Sequence, residues 1–240
     1  MICERLHDIF NGLKRHQFPF DGRLIPKNGI YILFEKGERA HIDCDRIVRI
    51  GTHTGQDNLP MRLAEHFLIE NKDRSIFRKN IGRALLNQKQ DAFIKQWEID
   101  LTTKAAKRRQ AGQINLERLS QLEKKVSSVI KDLFTFCVFP IEDKQKRLHF
   151  EERMIATANH CAICGPSNAW LGNHSPKNKI RESGLWLVQG LNGREMTHGD
   201  LEMLETTIRQ VNKLLHRIGR KRRLLLGEVS DGQAACQRTE

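Results

Sequence analysis

The sequence predicts an α+β fold, and three features carry that prediction. Short apolar or alternating runs of strand length occur at Gly29–Glu35 (GIYILFE), Arg46–Gly51 (RIVRIG) and Leu133–Phe139 (LFTFCVF). Longer stretches between and after them repeat apolar residues at helical spacing. The polar segment KGERAHIDCD, which contains Gly37, separates the first two runs and suits a hairpin with a long loop.

The elements follow in order. A short helix over Glu4–Leu13 leads into a Pro-punctuated stretch (Pro19, Pro26), so residues 1–25 form a helical lead-in. After the two hairpin strands, Asn58–Leu68 places Leu59, Leu63 and Phe67 one turn apart, with Asn58 as N-cap. Ser75–Leu86 repeats the pattern through Phe77, Ile81 and Leu85. Residues 87–131 turn polar, with one narrow seam of Leu116, Leu119, Leu122, Val126 and Ile130. This segment is expected to be a helical insertion, a hairpin standing off the core. The third strand, stopped by Pro140, precedes a helix over Arg147–His160. A Gly/Pro/Asn-rich loop, CGPSNAWLGNHSPKNK, and a fourth extended segment, Leu185–Gln189, come next. The chain closes with a helix from Asp200 to about Ile218, whose Leu201, Leu204, Ile208, Val211 and Leu215 form a core-facing stripe. The expected organisation is a main domain at 26–196 interrupted at 87–131, a C-terminal helix at 197–226 ending in the basic RIGRKRR, and a disordered tail at 227–240.

Composition narrows the partner. Lys and Arg total 41 against 29 Asp and Glu, a formal net charge of +12. Such an excess favours a polyanion, because each neutralised phosphate releases counterions. Nucleic acid is therefore the expected partner class, though charge names no chemistry. No run approaches the roughly 18 apolar residues of a membrane span, and MICERLHDIF lacks the apolar core of a signal peptide. A cytoplasmic protein without membrane attachment is expected. The six cysteines show no disulfide-scaffold spacing and read as free thiols. Cys161-x-x-Cys164 beside His160 looks like half a zinc site, with His174 as a conceivable further ligand. A structural zinc usually needs four well-spaced ligands, and no second pair is visible, so zinc is not expected.

A few residues invite a chemical reading. Tyr31 is the single tyrosine and opens a strand; by itself it is an ordinary buried aromatic. Arg62 and His66 lie four residues apart on one helix edge, away from the apolar side, where they suit either a phosphate clamp or a solvated face. Glu151 projects from the middle of the apolar arc formed by Phe150, Met154, Ile155, Ala158 and Ala162. An inward carboxylate must be paired or bound to a cation. Lys104, Lys107, Arg108 and Arg109 form a basic patch that can track a phosphate backbone or simply face water.

Taken in order, these positions resemble the GIY-YIG nucleases, a family that includes restriction enzymes, homing endonucleases and repair nucleases. Gly29-Ile30-Tyr31 is the first motif as written, and Arg49-Ile50-Gly51 stands where the second, Tyr-Ile-Gly, belongs. Arg62 and His66 match the Arg-x-x-x-His of the following helix, Glu151 the later metal-binding glutamate, and Asn168 a downstream asparagine. The resemblance covers roughly residues 26–86 and 133–190.

It implies a small, mainly three-stranded antiparallel sheet flanked by helices, with the active site on one sheet face. It also implies a metal-dependent endonuclease acting on duplex DNA, with one Mg²⁺ or Mn²⁺ ion held by Glu151. Tyr31 would serve as general base and Arg62 as transition-state stabiliser, while His66 would orient Tyr31 or shuttle its proton. A phenol ionises with difficulty at neutral pH, so cations must stand beside Tyr31. Arg49 departs from the motif. A basic residue there can position water or help Tyr31 ionise, or it can mark a copy that binds DNA or RNA without cutting. A zinc-dependent regulator is the third reading. Two cuts on a duplex can come from a dimer or from sequential nicking, so oligomeric state stays open.

Overall fold

The computed structural model describes residues 1–110 and 112–210. In chain order the elements are α1 (Ile2–Asn11), β1 (His16–Gln17), β2 (Gly29–Ala40), β3 (Cys44–Gly51), α2 (Leu59–Phe67), α3 (Ile76–Gln88), α4 (Ile94–Trp97), α5 (Lys104–Gln110), α6 (Leu116–Leu133), β4 (Phe134–Pro140), α7 (Lys144–Asn159) and α8 (Asn178–Ser183). Residues 1–201 form one compact unit; in the second, 202–240, residues 202–210 are described and helical. Val211, Leu215, the RIGRKRR cluster and the tail expected at 227–240 lie outside the described residues. No described helix is long and apolar enough to cross a membrane.

The sheet is antiparallel with strand order β1-β4-β2-β3. Its three long strands are the expected ones, and the fourth is the two-residue β1 at the edge. The strand expected at Leu185–Gln189 does not form. That segment makes one backbone bond to the sheet, Trp186 N–H to the Val48 carbonyl (2.8 Å), and its apolar residues are buried by packing rather than pairing. Apolar runs of this length do not distinguish a strand from a buried irregular segment.

Alternation along β2 sorts its side chains onto two faces. Tyr31 and Leu33 join Val48, Phe134 and Phe136 on one face, packed under Leu63 and Phe67 of α2, Phe77 and Ile81 of α3, and Val126 and Ile130 of α6. The other face meets α1, where the Phe10 ring lies 5.5 Å from that of Phe139, and α7 packs beside α1. The expectation that 87–131 stands off the core is thereby corrected. Only Leu116, at the start of the seam, stays exposed, while Leu122, Val126 and Ile130 are buried against the sheet-facing helices. Polar residues beside the seam made it look narrow, yet Glu123 and Ser127 are buried too, on Arg78 of α3.

Two helix termini also differ from expectation. Asn58 holds the N-cap position of α2 without capping it; its amide donates to the Thr54 carbonyl instead (3.0 Å). α7 starts earlier than expected because Asp143 caps it at Lys146 N–H (2.8 Å), and it ends at Asn159, leaving Ala162 exposed beyond it.

Glu35 links this core to the irregular segment. Its Oε2 accepts the indole N–H of both Trp170 and Trp186, each at 2.8 Å. Burial raises its pKa to about 7, against the two indole donors that favour the charged form. A carboxyl whose folded pKa lies above its unfolded value stabilises the fold at low pH and loses that contribution as pH rises through the folded value. The window here runs from about pH 4.5 to 7. Glu35→Gln is therefore expected to gain on the wild type by about 3 kcal/mol between the ends of that window. Thermal unfolding at a series of pH values checks this, and a wild-type-to-variant difference that stays flat with pH refutes it.

Candidate active site

The site begins with the register of the hairpin. Tyr31 pairs with Gly51, so the phenol lies across a residue with no side chain. A Cβ on Gly51 would sit 2.4 Å from the Tyr31 hydroxyl, which explains why a glycine ends the second motif. Gly29 is constrained differently, since a Cβ there would meet the Phe139 carbonyl of β4 at 2.4 Å. Two residues before Gly51, Arg49 projects from the same face as Tyr31, as the period of a strand requires. Its Nε–H donates to the Tyr31 oxygen (3.3 Å) and its Nη1 to the Trp186 carbonyl (2.5 Å). Glu35 thus acts at one remove, fixing the Trp186 whose carbonyl holds Arg49.

His66 comes from the next helix. Its Nε2 lies 2.8 Å from the Tyr31 oxygen and its Nδ1 2.7 Å from Ser75 Oγ. The edge of α2 that carries it suited either a phosphate clamp or a solvated face; His66 is fully buried there, with the Phe77 ring of α3 against it. Burial, reinforced by Arg62, Arg49 and Arg78, holds its pKa well below the ordinary histidine value, so the ring is neutral. Donor counting favours one tautomer. Ser75 Oγ already accepts the Arg78 N–H as cap of α3 (3.2 Å), so its hydroxyl is spent best as donor to Nδ1. The Nε2–H then points at Tyr31. Two N–H groups, from Arg49 and His66, converge on one phenolic oxygen.

Arg62 sits one turn before His66, with Nη1 tied to Glu65 Oε2 (2.9 Å) and the Arg74 carbonyl (3.0 Å). Its Nε and Nη2 make no hydrogen bond among the described residues, which leaves one edge of the guanidinium available. Glu151 arrives from α7, around the end of β3. Its Oε1 accepts the Thr52 N–H (2.9 Å), and Oε2 has no hydrogen bond among the described residues. Burial raises the Glu151 pKa, opposed by the Thr52 N–H, Arg49 and Arg62.

These groups meet at one cavity of about 670 Å³, lined by Tyr31, Arg49, Arg62, Glu151 and Trp186 among others. Asn80 also lines it, and its buried Nδ2 has no partner. The structure thus brings four of the five expected catalytic residues to one cavity and sets His66 directly behind Tyr31. It does not bring Asn168 there: that residue is exposed, with its carbonyl accepting from Asn173 (3.2 Å). Lys104, Lys107, Arg108 and Arg109 are exposed on α5 and line no part of the cavity. Sequence reasoning missed Thr52, Ser75, Asn80 and Trp186. Ser75 alone left a signal, as the cap of a helix, and nothing in its spelling tied it to His66.

Glu151 fits a hard divalent cation. A free carboxylate oxygen on a cavity wall, in surroundings that disfavour bare charge, is the donor type such ions take, with water and phosphate oxygens completing the shell.

A family model described as a GIY-YIG domain matches residues 3–214. No curated protein and no solved structure matches the chain.

Proposed function

The chain belongs to the GIY-YIG family of nuclease domains, and from that premise we propose that it is a metal-dependent endonuclease hydrolysing phosphodiester bonds in duplex DNA. The observation that carries this reading is the Tyr31 oxygen, held between Arg49 and His66 on the cavity that Glu151 enters. Two polar contacts on one phenolic oxygen fix it at the cavity wall, the placement a general base needs. Tyr31, as phenolate, takes the proton of the attacking water as the water oxygen bonds to phosphorus and the ester P–O bond breaks; the leaving oxygen takes a proton from solvent, and the phenol gives its own back to solvent. His66 stays neutral throughout and keeps the phenolic oxygen in place. The free edge of Arg62 binds non-bridging phosphate oxygens, where charge grows in the transition state. Glu151 would hold one Mg²⁺ or Mn²⁺, which supplies Lewis acidity and orientation at the phosphate. The Asn80 Nδ2, unpartnered among the described residues, offers a further donor to substrate.

In this reading Arg49 takes over a task from the missing second tyrosine: it binds the base's oxygen directly. That contact favours a working nuclease over a scaffold that only binds nucleic acid. The net charge of +12 and the exposed Lys104, Lys107, Arg108 and Arg109 support contact with a phosphate backbone.

The test uses pure protein and plasmid DNA with Mg²⁺ or Mn²⁺. Cleavage is expected, EDTA is expected to stop it, and Glu151→Ala is expected to lower the rate by about 10²–10³. Binding without cutting in either metal would leave the scaffold reading in its place.

A further inference from the structure

We propose a second metal site, a structural zinc bound by Cys3, His41, Cys161 and Cys164. One ligand atom from each of the four lies within 4.8 Å of every other. Cys3 Sγ and Cys164 Sγ are 3.4 Å apart, and His41 Nε2 lies 3.1 Å from Cys164 Sγ and 3.9 Å from Cys161 Sγ. A tetrahedral zinc with bonds of about 2.3 Å to sulfur and 2.0 Å to nitrogen sets its ligands about 3.5–3.8 Å apart. The four atoms therefore already stand close to the corners of that tetrahedron, and three thiolates with one imidazole suit zinc better than a hard ion.

The surroundings fit the same assignment. Cys161-x-x-Cys164 folds as a tight knuckle, with Cys164 N–H bonded to the Cys161 carbonyl (3.3 Å) and the Ile163 N–H directed at the Cys161 sulfur. Cys3 sits buried in the first turn of α1, its sulfur turned to Cys164. His7, the other imidazole nearby, is already engaged: Nδ1 bonds the Cys3 carbonyl (2.9 Å) and Nε2 accepts the Ile47 N–H (3.2 Å). That leaves His41 as the free nitrogen ligand, its ring 4.8 Å from that of His7. His160 and His174, the histidines near the Cys pair in sequence, are not in the cluster; His160 bonds Glu195 (3.2 Å).

The site is a staple rather than a catalytic centre. It joins the start of α1, the β2–β3 turn and the segment after α7. It lies at the Cys44 end of β3, whereas Tyr31 pairs with Gly51 at the other end of that strand. Beyond Cys164, Ser167 bonds Glu38 through its N–H (3.1 Å), so the staple also anchors the loop that carries Trp170 to Glu35.

Metal analysis of the full chain, purified without chelator, is expected to find about one zinc per chain, closed to exchange with Mg²⁺. Cobalt(II) in its place should show thiolate-to-metal charge transfer and the visible bands of a tetrahedral ion. The Cys161→Ser, Cys164→Ser double variant should lose the metal, and Glu151→Ala should keep it, which separates this site from the catalytic ion. Should the double variant fail to fold, the wild type still decides: a strong zinc chelator is expected to lower its melting temperature. Wild-type protein that stays zinc-free after incubation with zinc, its thiols reactive or paired as a disulfide, would overturn the assignment.

Discussion

Tyr31→Phe is expected to cut the rate of DNA cleavage by about 10²–10⁴ while leaving DNA binding within a few-fold of wild type. The change removes one oxygen and keeps the ring, so the packing of this fully buried side chain against the α2 and α3 side chains is preserved. What disappears is the acceptor for Arg49 Nε–H and His66 Nε2–H. Leaving those two donors unpaired costs about 1–3 kcal/mol of stability each, a fall in melting temperature measurable by calorimetry. The kinetic signature separates catalysis from mere structure. An interaction used only in the transition state lowers kcat and kcat/KM together, with KM unchanged. If kcat stays within a few-fold of wild type, the phenol is not the base, and the convergence of Arg49 and His66 serves only the core.

The Tyr31 environment shows how much of the site was legible in the sequence. Gly29-Ile30-Tyr31, Arg49-Ile50-Gly51, Arg62 and Glu151 were legible as a set, because their order along the chain resembles the GIY-YIG motifs; singly, Tyr31 and Arg62 each suited an ordinary structural role as well. Tyr31 opposite Gly51 is a matter of register, and Arg49 beside it follows from a period of two. Glu151 stood out because a carboxylate in an apolar arc must find a partner. The supporting contacts were hidden because they join residues distant in the chain. Trp186 reaches Arg49 from an irregular segment that has no periodicity to read. The zinc ligands come from three separated stretches, so only the Cys161–Cys164 pair has a recognisable spacing. The strand expected at Leu185–Gln189 failed for the opposite reason: burial alone imitated pairing. The resemblance likewise pointed to Asn168, while the asparagine that lines the cavity is Asn80, on a helix whose polar residues look solvent-facing in sequence.

Arg78 carries the second large effect. It is fully buried and bonds Glu123 Oε2 through Nη2 (2.7 Å) and Nε (3.2 Å), Ser127 Oγ (2.9 Å) and, through Nη1, the His66 carbonyl (3.3 Å). Glu123→Leu removes the only carboxylate paired with it among the described residues, and is expected to destabilise the fold by about 3–5 kcal/mol, because a buried cation is left uncompensated. Denaturant unfolding measures this directly. Adding Arg78→Met to that variant removes the stranded charge, and most of the lost stability is expected to return, since apolar residues of similar volume often replace a buried pair without cost. Activity should not return with it. Arg78 also grips the end of α2 at His66, and the double variant frees that carbonyl while it repairs the core. Stability and cleavage should therefore separate: the single variant loses both, and the double variant regains only the first. If the double variant cleaves at the wild-type rate, the ion pair holds α6 to the core and has no part in positioning His66. If it cleaves slowly at wild-type stability, the helix that looked like an appended insertion in the sequence is a support for the base itself.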